Sequence, residues 1–225
     1  MQETPHIPVL YREVIEALGD ISEGIIIDCT MGYGGHSSMI LEANPNIKLI
    51  AIDQDQTAID FSTKRLEKYG ERVSIKKGRF SHVIKEILAE YPKERIKGVL
   101  ADIGVSSLQL DQKDRGFSFH SDTLDMRMDK GAPLCAADVV NGYSQHRLEH
   151  ILLEYGEIRN FKKVASAIMS NRPFHSASEL AEKLRPYLPK DKKIHPATLL
   201  MQAIRIEVND ELGELNNLLD ALEAA

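Results

Sequence analysis

Apolar runs alternate with segments of helical period along the first hundred residues. Gly24-Ile-Ile-Ile-Asp28 is a continuous β-branched run that stops at an acid, the composition of a strand buried on both faces. Lys48-Leu-Ile-Ala-Ile52 repeats the pattern and stops at Asp53. Val73-Ser-Ile-Lys76 alternates and reads as a third strand, and residues 96–103, Ile-Lys-Gly-Val-Leu-Ala-Asp-Ile, as a fourth. Helices are expected between them: 35–43, ending near Asn44-Pro45; 56–68, N-capped by Asp55 and stopped before Gly70; and 80–90. Upstream, Leu10, Val14, Ile15 and Leu18 fall at helical spacing, with Gly19 as the stop. Residues 1–8 read as an extended arm, because Pro5 and Pro8 bias their neighbours away from helix. Strands alternating with helices imply an α/β fold with a doubly wound parallel sheet.

The alternation breaks at Gly104. Up to about Tyr143 the chain shows little periodicity and is rich in Asp, Ser and Gly, a length of loop that in a compact domain usually serves function. Helices are expected again at 145–155, 159–171 and 176–187, the last opened by the capping box Ser176-x-x-Glu179. Pro196 then starts a long helix running towards 222. The pattern predicts an α/β domain made of 1–109 and 196–225, with 110–195 inserted as a mostly helical domain.

Composition narrows the classes. A chain of 225 residues with 43% hydrophobic content can bury a sizeable core. No apolar run is long enough to cross a membrane, and the N-terminus lacks a secretory pattern, so a cytoplasmic protein is expected. Cys29 and Cys135 stand far apart in no metal-like spacing, which argues for a reducing compartment and no metal. The net charge of −6 argues against indiscriminate nucleic-acid binding. It is unevenly spread, however. Nine Lys/Arg against three Asp/Glu between Arg159 and Lys193 give a local +6 and leave −12 on the rest. A basic helical insertion on an acidic domain suggests a polyanion-facing surface; solvated helix faces are the plainer reading.

The candidate chemistry starts at the first strand. Three glycines, Gly32, Gly34 and Gly35, fall within four residues after it, and a helix follows. Strand, glycine turn and helix present free backbone N–H groups to a nucleotide-like ligand. Gly32-x-Gly34 is only part of the dinucleotide fingerprint, since Ser37 stands where a third glycine would be. An ordinary tight turn is the competing reading. Asp53, about 20 residues on, sits where an acid catches ribose hydroxyls. A nicotinamide-dependent oxidoreductase is one function compatible with these two features alone.

More specific segments lie elsewhere. They are His6-x-Pro8-Val-Leu, Asp28-x-Thr30-x-Gly32-x-Gly34-Gly35-His36-Ser37 and Asp102-x-Gly104-Val-Ser-Ser107-x-Gln109-Leu-Asp111, followed by Arg115-Gly-Phe-Ser-Phe119 and Leu124-Asp-Met-Arg-Met128. Tyr155-Gly-Glu157, His195-Pro-Ala-Thr198, Gln202-Ala-x-Arg205-Ile and Asn209 complete the set. Together they resemble the MraW-type family of small-subunit ribosomal RNA methyltransferases, over the whole chain. The resemblance implies a Rossmann-like sheet and S-adenosyl-L-methionine (SAM) as methyl donor. It also implies methylation of the exocyclic N4 of a cytidine in the decoding region of 16S ribosomal RNA, with the RNA or the 30S particle as partner; composition adds that no membrane is expected, and a homodimer is an option through the exposed edge of strand four. Two departures stand out: Leu199-Leu200-Met201 replaces a usual Arg-Thr-Phe, and Arg79 precedes Phe80 where Asn or Pro is usual. The family also continues beyond the equivalent of Ala225. The C-terminal strands are therefore expected to be missing, with strand four at an unpaired edge and the chain self-associating; a noncatalytic RNA-binding remnant is a further alternative.

Carried over residue by residue, the resemblance implies SAM contacts at Gly34, Gly35, His36, Asp53, Phe80, Asp102 and Gln109. Asp102 is the candidate catalytic residue, as an acceptor at the end of strand four that orients the amine; contacting SAM alone is its other reading. Asp53 can hold ribose or cap a helix, Phe80 can cover adenine or fill the core, and His36 can cap or pack. Phe117 and Phe119 are candidates to stack on the target base or to anchor the loop. Arg115, Arg127 and Arg205 can bind phosphate or the cytosine edge, or pair with Asp114, Asp125 or Glu207. Gln202, Arg205 and Asn209 share a helix face, and with His195 they complete the substrate-binding candidates.

Overall fold

The computed structural model describes residues 8–18, 21–188 and 195–225. The chain divides into two compact units, Met1–Gly104 with Gly213–Ala225, and Val105–Leu212. The arm up to residue 7, the helix stop at Gly19 and the lysines at 190, 192 and 193 lie outside the described residues.

In the first unit α1 (Tyr11–Leu18), β1 (Gly24–Asp28), α2 (Gly35–Ala43), β2 (Ile47–Asp53), α3 (Gln56–Leu66), β3 (Val73–Lys77), α4 (Phe80–Glu90) and β4 (Ile96–Leu100) follow in order. The sheet is parallel throughout, ordered β3-β2-β1-β4. The β-branched runs form its centre because both faces are covered: Ile26, Leu49 and Ala51 pack with Ile40 and Leu41 of α2, while Ile25, Ile27, Ile50 and Ile52 pack with Val83, Ile84 and Ile87 of α4. β1 to β3 grow to one side and β4 returns to the other. The topology therefore switches direction between β1 and β4, where such sheets open a crevice beyond the strand carboxyl ends. β4 stands at an edge of this four-stranded sheet, as expected.

In this unit two boundaries differ by two residues or more from the sequence reading. β4 ends at Leu100, not at Ile103, because its ladder with β1 stops at Asp28↔Leu100. The helix expected over 56–68 ends at Leu66 and tightens into a 3₁₀ stretch, where Gly70 takes φ 56°.

The second unit is helical: α5 (Ser107–Asp111), α6 (Ala136–Gly142), α7 (Gln145–Glu154), α8 (Phe161–Asn171), α9 (Ala177–Leu184) and α10 (Thr198–Asn209). α5 and α6 lie in a stretch read as structureless; both are short and capped, α5 by a Ser106–Gln109 box. The helix expected to run from Pro196 to 222 is two. Asp210 takes φ 53°, a left-handed stop, and α11 (Glu211–Glu223) restarts at once. The division of the chain follows from this break. Leu200, Met201, Ala203, Ile204 and Val208 of α10 pack with Leu148, Ile151, Val164 and Leu180 in the helical core, whereas Leu218 of α11 packs with Ile84 and Ile87 of α4. Residues 196–212 therefore belong with the helical unit, and so do 105–109; the expected boundaries at 109/110 and 195/196 move to 104/105 and 212/213.

Between α5 and α6 the chain is a long loop held by close backbone approach. Gly116 has φ 80°, and a Cβ there would lie 2.6 Å from the Asp125 nitrogen. Gly116→Ala is expected to lower stability by about 2–3 kcal/mol through backbone strain and that clash. Urea denaturation reads this as a lower midpoint at unchanged slope.

Candidate active site

The site of the first unit is built at the carboxyl end of β1. Asp28 closes the strand fully buried, so its charge needs donors. The Ser37 hydroxyl donates to its Oδ2 at 2.7 Å and the Thr30 amide to its Oδ1 at 3.1 Å. Burial raises the Asp28 pKa and these two bonds work against that rise. The glycine turn is thereby fixed from below. Gly34 follows with φ 73° and caps α2, and a Cβ there would sit 3.2 Å from Ser62 Oγ. A Cβ at Gly35 would come within 2.8 Å of Pro8.

Asp53 ends β2, half-buried, and faces the same turn. Its Oδ2 accepts from the Gly32 amide at 2.7 Å and its Oδ1 from the Asp55 amide at 2.8 Å. Burial pushes its pKa up to about 6, opposed by these two bonds. Each oxygen keeps a lone pair for a further donor. Asp55, not Asp53, caps α3, accepting from the Thr57 amide at 3.0 Å. The Gly78 amide donates to the Asp53 carbonyl at 2.9 Å, which places the start of α4 and Phe80, half-buried, just beyond the end of β2.

His36 is buried in the first turn of α2 with Nε2 2.9 Å from the Val9 carbonyl. A carbonyl only accepts, so Nε2 carries the proton. Nδ1 lies 3.8 Å from Oδ2 of Asp102, whose side chain is 51% exposed. Asp102 lies two residues past β4, and its amide donates to Thr30 Oγ1 at 2.7 Å. Cys29, buried beneath the turn, has its thiol pushed up to about 12 by burial and supplies no thiolate. Among the described residues no cluster of His, Cys, Asp or Glu could hold a metal ion.

The structure thus gathers Gly34, Gly35, His36, Asp53, Phe80 and Asp102 in one unit. Gln109 belongs to the other, where its side-chain Oε1 accepts from the Ser106 amide at 3.0 Å and closes the α5 cap. The substrate-binding candidates also lie there, and many of them hold the 113–135 loop. Arg115 is buried, donating to the carbonyls of Arg127 and Met128 at 3.1 and 3.2 Å. Asn209 is buried and clamps the same turn: its Nδ2 donates to the Met126 carbonyl and its Oδ1 accepts from the Met128 amide, both at 2.8 Å. Arg127 grips Asp125 through both carboxylate oxygens at 2.9 Å. Arg205 grips Glu211, not Glu207, at 2.7 and 3.0 Å. Gln202 donates to the Tyr155 carbonyl at 3.1 Å, and Phe117 is buried. Phe119 and exposed His195 stack with ring centres 4.0 Å apart and planes within 10°. The sequence reading assigned no role to Asp28, Thr30 or Glu214. Glu214 of α11 is buried and accepts from Arg79 and from the Ser81 amide at 3.3 Å, holding the start of α4. The signal for the first two was an apolar run ending in Asp-x-Thr.

A parallel sheet with a glycine turn at its switch point and an acid at the end of the next strand defines a nucleoside-binding α/β domain of Rossmann-like type. The chain belongs to the MraW methylase family, which its residues 3–225 match. It is 70% identical over 223 residues to the ribosomal RNA small subunit methyltransferase H of Sulfurimonas denitrificans, covering 99% of this chain and 73% of that protein. The enzyme of the same name from Nitratiruptor is 58% identical over 219 residues, 97% of this chain and 71% of the relative. That of Campylobacter fetus is 46% identical over 226 residues, with 99% and 72% covered. Membership implies SAM as methyl donor, and the donor set fits it: an ionisable carboxylate with spare lone pairs for ribose hydroxyls, the N-terminus of α2 beside a glycine turn, and an exposed carboxylate across the switch point.

Because the ionised form of Asp53 is the one that accepts hydroxyl donors, SAM affinity is expected to hold at pH 7–8 and to fall as the pH drops through about 6. Asp53→Ala should weaken SAM binding by about 1–3 kcal/mol at pH 7.5 and flatten that profile. Titration calorimetry across this pH range checks both.

Proposed function

We propose that this chain transfers a methyl group from SAM to the exocyclic N4 of a cytidine in the decoding region of 16S ribosomal RNA, acting in the cytoplasm on the RNA or the 30S particle. The observation that carries the reading is Asp102, an exposed carboxylate beyond β4, set beside the glycine turn in a chain of the MraW methylase family. SAM bound at this turn supplies an electrophilic methyl on a sulfonium. The acceptor amine is a poor nucleophile because its lone pair is delocalised into the ring. A carboxylate accepting one of its N–H groups orients it and localises that pair, and positioning then supplies much of the rate. Asp102 can take the proton after transfer, so no strong base and no metal are required. His36 stands behind it and fixes the environment of its carboxylate.

For the RNA, the residues left with free faces in the helical unit are the favoured contacts. The Phe119–His195 stack offers an aromatic surface for a splayed base. Arg159, Lys162, Lys163 and Arg185 are exposed on and around α8 and α9 and supply cations for phosphate. Arg115, Arg127 and Asn209 serve this reading by holding the loop through backbone carbonyls and Asp125, while Arg205 is paired with Glu211. Nothing in it requires a second copy of the chain. A nicotinamide-dependent oxidoreductase is set aside by the family and by Ser37 in place of a third glycine.

Methyl transfer from labelled SAM to small ribosomal subunits, followed by nucleoside analysis of the RNA, tests the proposal; label in any nucleoside other than N4-methylated cytidine, or none, rejects it. Asp102→Ala is expected to lower turnover far more than SAM affinity, because its contact with the amine matters most in the transition state. Lys162→Ala, Lys163→Ala and Arg185→Ala should weaken RNA association, leave SAM affinity level, and each reduce the salt slope by about one. Filter binding at several ionic strengths reads the slope.

A further inference from the structure

We propose that Thr30 is the positioning residue for Asp102, and through it for methyl transfer; the inference rests on the role of Asp102 given above. The β1–β4 ladder stops at Leu100, whose carbonyl accepts from the Cys29 amide at 2.8 Å. Beyond it Ala101 and Asp102 are exposed and outside any strand. The Asp102 amide is held by a side chain instead, donating to Thr30 Oγ1 at 2.7 Å. Thr30 is itself fixed, because its own amide donates to the buried Asp28 at 3.1 Å, and Asp28 is held to α2 by the Ser37 hydroxyl. The order of a fully buried carboxylate is thus passed through one hydroxyl to the backbone of an exposed one. Thr30 touches neither donor nor acceptor in this scheme. It sets where the peptide of Asp102 sits, and so where the carboxylate beside His36 points.

The bond lies at an exposed strand end, so water can replace the hydroxyl when it is removed. Loss of positioning is therefore separable from loss of fold. Thr30→Val keeps the shape and removes the acceptor; Thr30→Ser keeps the acceptor.

The full chain and both variants are compared in three measurements: turnover of labelled methyl into small-subunit RNA at saturating SAM, SAM affinity by calorimetry, and hydrogen exchange at the Asp102 amide. Thr30→Val is expected to lower kcat by about tenfold or more, since small misplacements of reacting groups are costly. Its SAM affinity and melting temperature should stay near wild type, and the Asp102 amide should exchange faster. Thr30→Ser should restore kcat to within about threefold of wild type. Wild-type kcat in Thr30→Val overturns the inference. So does a loss of the same size in Thr30→Ser, or a loss in Thr30→Val matched by equal losses of affinity and melting temperature. A wild-type chain that binds SAM but methylates no RNA overturns the functional reading and this role together, and the unmutated control alone reveals that case.

Discussion

A carboxylate with no access to water sits at the end of β1, and the cofactor half of the molecule is arranged around it. Burial raises the pKa of Asp28, and the two hydrogen bonds that work against that rise come from the glycine turn and the helix after it. Those bonds set the path of the chain from strand to helix, which leaves Gly34 in a left-handed conformation and the first turn of α2 facing the switch point. Asp53 reaches the same turn from the neighbouring strand by accepting from Gly32. Two acids on adjacent strands, one sealed and one half-open, thus hold a single turn. The sealed one gives shape. The half-open one retains capacity for another donor and titrates near the working range.

Much of this was legible in the sequence because it rests on local rules. Buried parallel strands are continuous β-branched runs, and each was located to within a few residues. The turn glycines, the Asp55 cap and the acid at position 53 follow from spacing. The division into units was misplaced because it depends on one residue. Asp210 breaks an apolar period that otherwise continues, and an Asp in the left-handed region is a weaker compositional signal than a glycine. The arginines were harder still. A sequence shows that Arg115, Arg127 and Arg205 exist, not whether each faces solvent, a carboxylate or a carbonyl. Glu207 was one possible partner for Arg205; the partner is Glu211, just beyond the break at Asp210.

The helical unit puts its most distinctive motifs to a use that composition does not suggest. The Arg115-Gly-Phe and Leu124-Asp-Met-Arg blocks look like a basic, aromatic contact surface. In the structure they form a self-braced loop, with Arg115 inside it, Phe117 buried and Met126 in a left-handed conformation at its centre. The charge of Arg127 is matched within two residues by Asp125. The RNA contact proposed above therefore draws on the Phe119–His195 stack and the cations of the later helices, and leaves the shaping of the loop to a different set of basic residues.

The clamp of Asn209 on residues 126 and 128 spans more than eighty positions of chain. Contacts at such separation form only after the intervening segment has closed, and closure carries an entropic cost that local helices do not meet. The loop bearing the family's most specific residues therefore acquires its shape late, when α10 docks against α6 and α7. The pairing of β1 with β2 joins positions such as Gly24 and Ile47, a much shorter separation, and can be in place before it. By contact separation alone, the β1–β2 pair is the cheapest strand closure in the chain and the Asn209 clamp is among the costliest contacts.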